Sequence, residues 1–279
     1  MRALTDLLLP ESTMATDLLH QRIRYDYDRP VTDVRQRLVV VPRAVHGGQR
    51  RRSWFLQVEG ATPTETRVVV DRFGNHVIEI DLSEVEHHVV FVVDSAVDHV
   101  DDGEPHIEPL AGVHRFPTRL TTPDAALVAL AGDPGRSTAA DICGRVHAAL
   151  RYEWGITSVR TTAAEALAGG VGVCQDYAHI MIAACHMVGL PARYVSGHLR
   201  GEGGSHAWVE VLHPGLDGST CRVEAWDPTH DRPAGEGYVT VAVGRDYDAV
   251  PPMSGSYEGK DIASALSVTK RVAREGTAA

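Results

Sequence analysis

The stretch Gly170-Val-Gly-Val-Cys174-Gln-Asp-Tyr-Ala-His179 places a cysteine between a glycine-rich turn and a run of apolar residues. The apolar positions from Ala178 to Val188 predict a largely buried helix of about four turns. We expect this helix to end at Gly189-Leu-Pro191, because glycine favours a left-handed C-terminal cap and proline cannot continue a helix. Cys174 would therefore lie in the first helical turn.

The position of Cys174 predicts a reactive thiol. Unpaired backbone N–H groups and the helix dipole favour a thiolate at the start of a helix. The glycines at 169, 170 and 172 allow a sharp turn and are expected to leave room for a substrate near the sulfur. Asp176 is expected to favour the first helical turn electrostatically. A buried structural cysteine is the alternative interpretation of this residue taken alone.

Two later segments supply partners for this thiol. The alternating pattern of residues 205–210 predicts a strand that begins near His206, and residues 221–226 predict a second strand that ends at Asp227. Adjacent antiparallel strands would put the imidazole beside the carboxylate. Taken separately, these residues are also explained as a half-buried sheet histidine and an Asp-Pro turn residue. Together they predict acyl transfer with Cys174 as nucleophile, His206 as general base and acid, and Asp227 as the group that orients the imidazole.

These three segments, together with the passage from Gly189 to Leu199, resemble the transglutaminase-like superfamily in content and in order. Residues 23–31, 37–43 and 71–76 resemble the β-rich domain that precedes the core in bacterial members of that family. The resemblance covers roughly residues 20–270. It implies an α+β, papain-like cysteine enzyme fold with an N-terminal antiparallel β domain, and the activity of a transglutaminase-like cysteine peptidase.

The acceptor of the acyl group is left open by the triad. Water as acceptor gives hydrolysis of a peptide or amide bond, which the resemblance favours, whereas an amine as acceptor gives transglutaminase transfer. A non-catalytic binding module on the same fold is a further alternative, which the intact triad disfavours. Arylamine N-acetyltransferases follow the same triad logic, but their Arg-Gly-Gly-x-Cys-type segment differs from residues 170–174. For the oxyanion we expect the backbone N–H of Cys174 as one donor, with Tyr152 or Trp154 as candidates for the second.

Composition narrows the class of partner. A net charge of −10 disfavours nucleic acid, because phosphate binding needs a basic surface. The sequence lacks the long apolar run of a membrane span, and the first ten residues are too interrupted for a secretory signal. The four cysteines include no C-x-x-C pair typical of a zinc site or a redox motif. Their low number and the absence of a signal fit a reducing cytoplasm. The expected partner is a peptide or protein substrate, and neither a cofactor nor a metal is expected, because no ligand spacing stands out among the fifteen histidines.

The length of 279 residues is sufficient for two hydrophobic cores. Alternating runs in the first part predict five or more strands in a sandwich or barrel. We expect a disordered extension over residues 1–16, a β-rich domain over 17–110, a catalytic core over 111–273 with a possible last strand at 264–272, and a tail over 274–279. Residues 101–105 are the expected linker.

Overall fold

The computed structural model describes residues 14–100 and 104–276. Its first part is built from strands β1 (Met14–Tyr27), β2 (Val31–Val41), β3 (Val45–His46), β4 (Gln49–Glu59), β5 (Glu65–Val70), β6 (His76–Val85) and β7 (His88–Val100). Five runs of the sequence show the alternation that predicts strands, and each lies within, or overlaps, one of the observed strands: 33–41, 53–58, 66–71, 76–81 and 88–94. They form two antiparallel sheets that enclose one core, to which Ile23 and Phe91 contribute from one sheet and Leu38 and Ile80 from the other. The predicted sandwich is therefore present.

Within the described residues, the second part combines four α-helices with a main sheet and several short strands. Strand β8 (Ile107–Pro109) is followed by α1 (Ala125–Ala131), α2 (Ala139–Ala149), β9 (Arg151–Tyr152), α3 (Ala163–Gly169), β10 (Val171–Gly172), α4 (Cys174–Met187), β11 (Ala192–Leu199), β12 (His206–Pro214), β13 (Thr220–Asp227), β14 (Arg232–Pro233) and β15 (Tyr238–Gly244). The main sheet has the order β14-β13-β12-β11-β15, and β8 pairs with β13. The architecture is thus α+β with antiparallel sheets, as the sequence predicts.

Helix α4 is buried because its neighbours surround it. It packs against α1, α2 and α3, and against one face of the sheet. Ala207, Val209 and Val211 of β12 point into the core that contains α4, whereas Trp208 and Glu210 point to the opposite face. The alternation of β12 therefore separates a helix-packed face from a face directed toward the sandwich.

The C-terminal strands change the predicted domain boundaries. Strands β16 (Met253–Glu258) and β17 (Ser264–Arg274) pair with β2 and β1 of the sandwich, not with the catalytic sheet. The strand predicted at 264–272 is present, but its partner is distant in sequence, and a strand pattern carries no information about such pairing. Because β8 belongs to the catalytic sheet, that sheet also begins before residue 111.

The predicted N-terminal extension is only partly accessible to comparison. Strand β1 begins at Met14, so residues 14–16 belong to a sheet and not to a disordered extension. Residues 1–13, the linker positions 101–103 and the tail positions 277–279 lie outside the described residues. Within the described part, no helix combines the length and the apolar character needed to cross a bilayer.

Candidate active site

The structure places Cys174 at the first position of α4, as the sequence predicts. Asp176 stabilises this helix start, because its Oδ2 accepts hydrogen bonds from the backbone N–H of Val173 at 2.8 Å and from Thr157 Oγ1 at 2.6 Å. The Cys174 side chain is partly exposed, whereas the other three cysteines are buried. The thiol is therefore the accessible one of the four.

Two glycines before Cys174, Gly170 and Gly172, have roles in the local backbone conformation and packing. Gly170 caps α3 in the left-handed conformation, with a φ of 66°. A Cβ atom at Gly172 would lie 2.7 Å from the Cβ of Asp176, which is closer than packed carbons approach. The expectation that Gly172 leaves room for a substrate is thus replaced by a different role, since this glycine admits the Asp176 side chain.

The pairing of β12 with β13 brings His206 and Asp227 together. His206 Nε2 lies 2.7 Å from Asp227 Oδ2, and both side chains are buried. The Cys174 side chain lies close enough to the ring to contribute to the raised pKa of the imidazole. Since Nε2 is engaged by Asp227, Nδ1 is the ring nitrogen available to the thiol. The three predicted residues therefore form one continuous chain of contacts.

The surroundings of His206 favour its charged form. Burial lowers the pKa of the imidazole, but the hydrogen bonds and charges of Asp227 and Cys174 outweigh this and raise the pKa to about 10. Burial raises the pKa of Asp227, and its contacts with His206, His230 and Tyr238 reverse this and hold the pKa well below its usual range. At neutral pH the pair is an imidazolium beside a carboxylate, which can pair with a thiolate.

Two further residues hold Asp227, and the sequence analysis did not identify them. The Tyr238 hydroxyl donates to Asp227 Oδ2 at 2.7 Å, and His230 Nδ1 lies 2.8 Å from the same oxygen. The backbone N–H of Thr229 donates to Oδ1 at 2.9 Å. His230 could have been suspected from its place in the Asp-Pro-Thr-His turn, whereas Tyr238 arrives from β15 without a local signal.

A second carboxylate approaches the same imidazole. Glu202, in the glycine-rich loop before β12, places Oε2 3.2 Å from His206 Nδ1 and Oε1 3.4 Å from His230 Nε2. Asp227 contacts the other nitrogen of each ring. Two carboxylates and two imidazoles therefore form a closed ring of contacts. The sequence analysis did not single out Glu202.

Tyr152 lies near Cys174. Strand β9 pairs with β10 so that Tyr152 lies opposite Gly172, two residues before the cysteine. Burial raises the pKa of Tyr152 to about 12, and the charges of Cys174 and Glu202 add to this shift. Tyr152 is 44% exposed and Trp154 is 78% exposed, so neither is a buried core aromatic.

A buried charged network joins the sandwich to the catalytic sheet. His46 Nε2 lies 2.6 Å from Glu210 Oε1, and Arg193 donates to Glu210 Oε2 at 2.6 Å and to Glu108 Oε2 at 2.7 Å. A cavity of about 650 Å³ adjoins this network, lined by His46 and Glu210 and also by Trp208 and Tyr238. It lies on the face of the sheet opposite α4, where the strand alternation directs Glu210.

Two groups of side chains bring three potential metal-ligand atoms within 4.8 Å of one another: His46, His106 and Glu108, and His206, Asp227 and His230. In the first group a guanidinium already supplies positive charge, because Arg43 Nη1 lies 2.6 Å from His46 Nδ1 and 3.2 Å from Glu108 Oε1. In the second group the hydrogen bonds of Asp227 occupy both rings. The expectation that the chain uses no metal stays a prediction.

Comparison with known proteins supports this assignment of fold. The family model described as bacterial transglutaminase-like N-terminal region matches residues 18–98, and that of the transglutaminase-like superfamily matches residues 125–222. An uncharacterized protein of Mycobacterium leprae is 29% identical over 279 aligned residues, which cover 90% of this chain and 95% of the relative. An uncharacterized protein of Mycobacterium tuberculosis is 37% identical over 129 residues, or 41% of this chain and 40% of its own.

A solved structure from Cytophaga hutchinsonii, provisionally described as a cysteine protease, superposes with a TM-score of 0.77. The superposition covers 96% of this chain and 93% of that chain at 20% sequence identity, which shows a shared fold across both domains. The chain therefore belongs to the transglutaminase-like superfamily, with a bacterial transglutaminase-like N-terminal region ahead of a transglutaminase-like core.

Proposed function

We propose that this protein is a cysteine acyl-transfer enzyme that hydrolyses peptide or amide bonds through a thioester intermediate. The observation that carries the proposal is the contact chain from the accessible Cys174 through the buried His206 to Asp227. A merely structural cysteine would not require an imidazole held in its charged form by a second, fully buried residue. The substrate would be a peptide or protein.

In the first half-reaction the Cys174 sulfur attacks the carbonyl carbon, and the carbonyl electron pair moves onto oxygen. As the first residue of α4, Cys174 has a backbone N–H without an intrahelical acceptor, which supplies one donor to this oxyanion. We assign the second donor to the Tyr152 hydroxyl, because its strand is paired with the segment just before Cys174. Collapse of the intermediate breaks the C–N bond, and His206 gives the Nδ1 proton to the leaving nitrogen.

In the second half-reaction neutral His206 takes a proton from water, which attacks the thioester and releases the acid. Asp227 keeps the ring in the tautomer whose Nδ1 can accept that proton, since Nε2–H remains directed at the carboxylate. An amine could replace water at the same nitrogen. Amine transfer is therefore the second candidate, and the carboxylate of Glu202 beside Nδ1 is the observation that favours it. We further propose a reducing compartment such as the cytoplasm, where a free thiol stays usable.

The test is to trap the acyl-enzyme. The wild-type protein is incubated with a mixture of peptide amides, quenched in acid and analysed by mass spectrometry for an acyl group on Cys174. Cys174→Ala should carry no acyl group, and iodoacetamide at neutral pH should label Cys174 first. Burial raises the pKa of Cys143 and of Cys185 to about 12, which makes them slow internal controls. Preferential labelling of either one would contradict the proposal.

A further inference from the structure

Glu202 places a negative charge on one particular side of the catalytic imidazole. Its Oε2 lies 3.2 Å from His206 Nδ1, and its side chain is 37% exposed. In the proposed reaction Nδ1 gives its proton to the leaving nitrogen and later takes one from the incoming nucleophile. The leaving group must therefore pass within reach of Nδ1, and the Glu202 carboxylate lies on the leaving-group side of the site.

The charge balance around Glu202 changes during acylation. In the resting site its nearest partner is the His206 imidazolium, whose pKa is raised to about 10. When the C–N bond breaks, the Nδ1 proton moves to the leaving nitrogen and the ring becomes neutral. Glu202 then loses a cationic partner at the moment when the leaving group gains a proton. A positive charge on the leaving group would restore the pairing, and this interaction would grow toward the transition state.

Resting on the proposed function, we propose that Glu202 selects substrates with a cationic group, such as a lysine or arginine side chain, just after the scissile bond. The loop leaves open space for such a group, because a Cβ atom at Gly203 or Gly204 would have no neighbouring atom within 4 Å. The exposed ring of Tyr152 adds an aromatic surface near Cys174 and Glu202, whose charges act on its hydroxyl, and aromatic faces attract cations. The same carboxylate would attract a protonated amine as acyl acceptor, which would lose one proton to solvent and then give a second to Nδ1 of neutral His206 as it attacks the thioester.

The experiment compares three peptides that differ only in the first residue after the scissile bond: lysine, alanine or glutamate. For the wild type we expect kcat/KM to be about tenfold higher with lysine than with glutamate, as for a partly exposed charge pair. Glu202→Gln should reduce this ratio to about twofold or less. Glu236→Gln is the matched control, since this side chain is 76% exposed and pairs with Arg200 and Arg274 instead of a catalytic group. It should keep the wild-type ratio.

Each outcome has a separate meaning. An unchanged lysine preference in Glu202→Gln would overturn the inference. An equal loss of kcat/KM for all three peptides with a shifted pH profile would also overturn it, because that result indicates that Glu202 only positions His206. Sodium chloride at 0.5–1 M, roughly the range that screens exposed charges, should weaken the wild-type preference, which tests the idea without any variant. An acyl-enzyme without charge preference overturns this inference alone, whereas the absence of any acyl-enzyme in the wild type overturns the proposed function and the inference with it.

Discussion

Replacing Asp227 by asparagine tests how the imidazole is held. The pKa of His206 is raised from its usual value of about 6.5 to about 10, and at about 1.4 kcal/mol per pKa unit this is roughly 5 kcal/mol in favour of the imidazolium. Cys174 shares in this preference, so we assign about 2–3 kcal/mol to Asp227, the usual value of a hydrogen bond to a charged group. The amide would also donate to Nε2, which forces the neutral ring into the tautomer whose Nδ1 already carries a proton.

We therefore expect Asp227→Asn to lower kcat/KM at neutral pH by about 10³–10⁴, as loss of the orienting carboxylate does in other triads. The rate of Cys174 alkylation should also fall at pH 7 and recover only at higher pH. Both are measured in stopped assays across about pH 5–10, a range that includes the usual histidine pKa of about 6.5 and the raised value of about 10. Tyr238→Phe is the control, because it keeps the carboxylate and removes one of its hydrogen bonds. Activity of Asp227→Asn within tenfold of the wild type, with an unchanged alkylation curve, would refute this reasoning.

Three further predictions concern packing and stability. Gly172→Ala should lower the free energy of unfolding by about 1–3 kcal/mol, the usual cost of overpacking, because its Cβ would meet Asp176 at 2.7 Å. Gly203→Ala is the control and should change this free energy little. Equal urea midpoints for the two variants would contradict the prediction. Glu210→Gln should cost about 3 kcal/mol in urea unfolding, the lower end of the usual range for a broken buried pair, because Glu108 still pairs with Arg193 and His46. A loss below about 1 kcal/mol would show that the Glu210 carboxylate does not stabilise the network. The pKa of His206 is higher in the folded protein than in the unfolded chain, so its contribution to stability is full below pH 6.5 and is lost as the pH rises toward about 10. His206→Gln should therefore make the free energy of unfolding less dependent on pH in this range, which is measured by denaturation at several pH values.

The sequence allowed a good prediction of the elements that carry their own local signal. The apolar periodicity after Cys174 and the glycine turn before it located the start of α4, and the alternation around His206 located β12. Residues brought in by tertiary pairing were missed. Tyr238 belongs to β15, which β12 and β11 separate from β13 in the sheet, so its contact with Asp227 depends on the tertiary fold. Glu202 lies in a loop whose glycines indicate flexibility but not the direction of its side chains.

The same reason explains the misplaced C-terminal strands. The pattern of residues 264–272 predicts a strand correctly, but the choice between the catalytic sheet and the sandwich depends on the path of the whole chain. Hydrophobic alternation specifies which face of a strand is buried, and it leaves the identity of the neighbouring strand undetermined. Pairing partners become predictable only when a short turn joins them, as for β3 and β4.

The pairing of the last strand with the first has a consequence for biosynthesis. Residues 17–27 of β1 find their partners in residues 264–274, which leave the ribosome after the entire catalytic core has been made. Until then one edge of the first sheet is open, and an open edge can pair with other nascent chains. A transcript truncated before β17 should yield a protein that aggregates during translation even though all three triad residues are present, whereas a circularly permuted gene that begins at β17 should shorten the vulnerable interval.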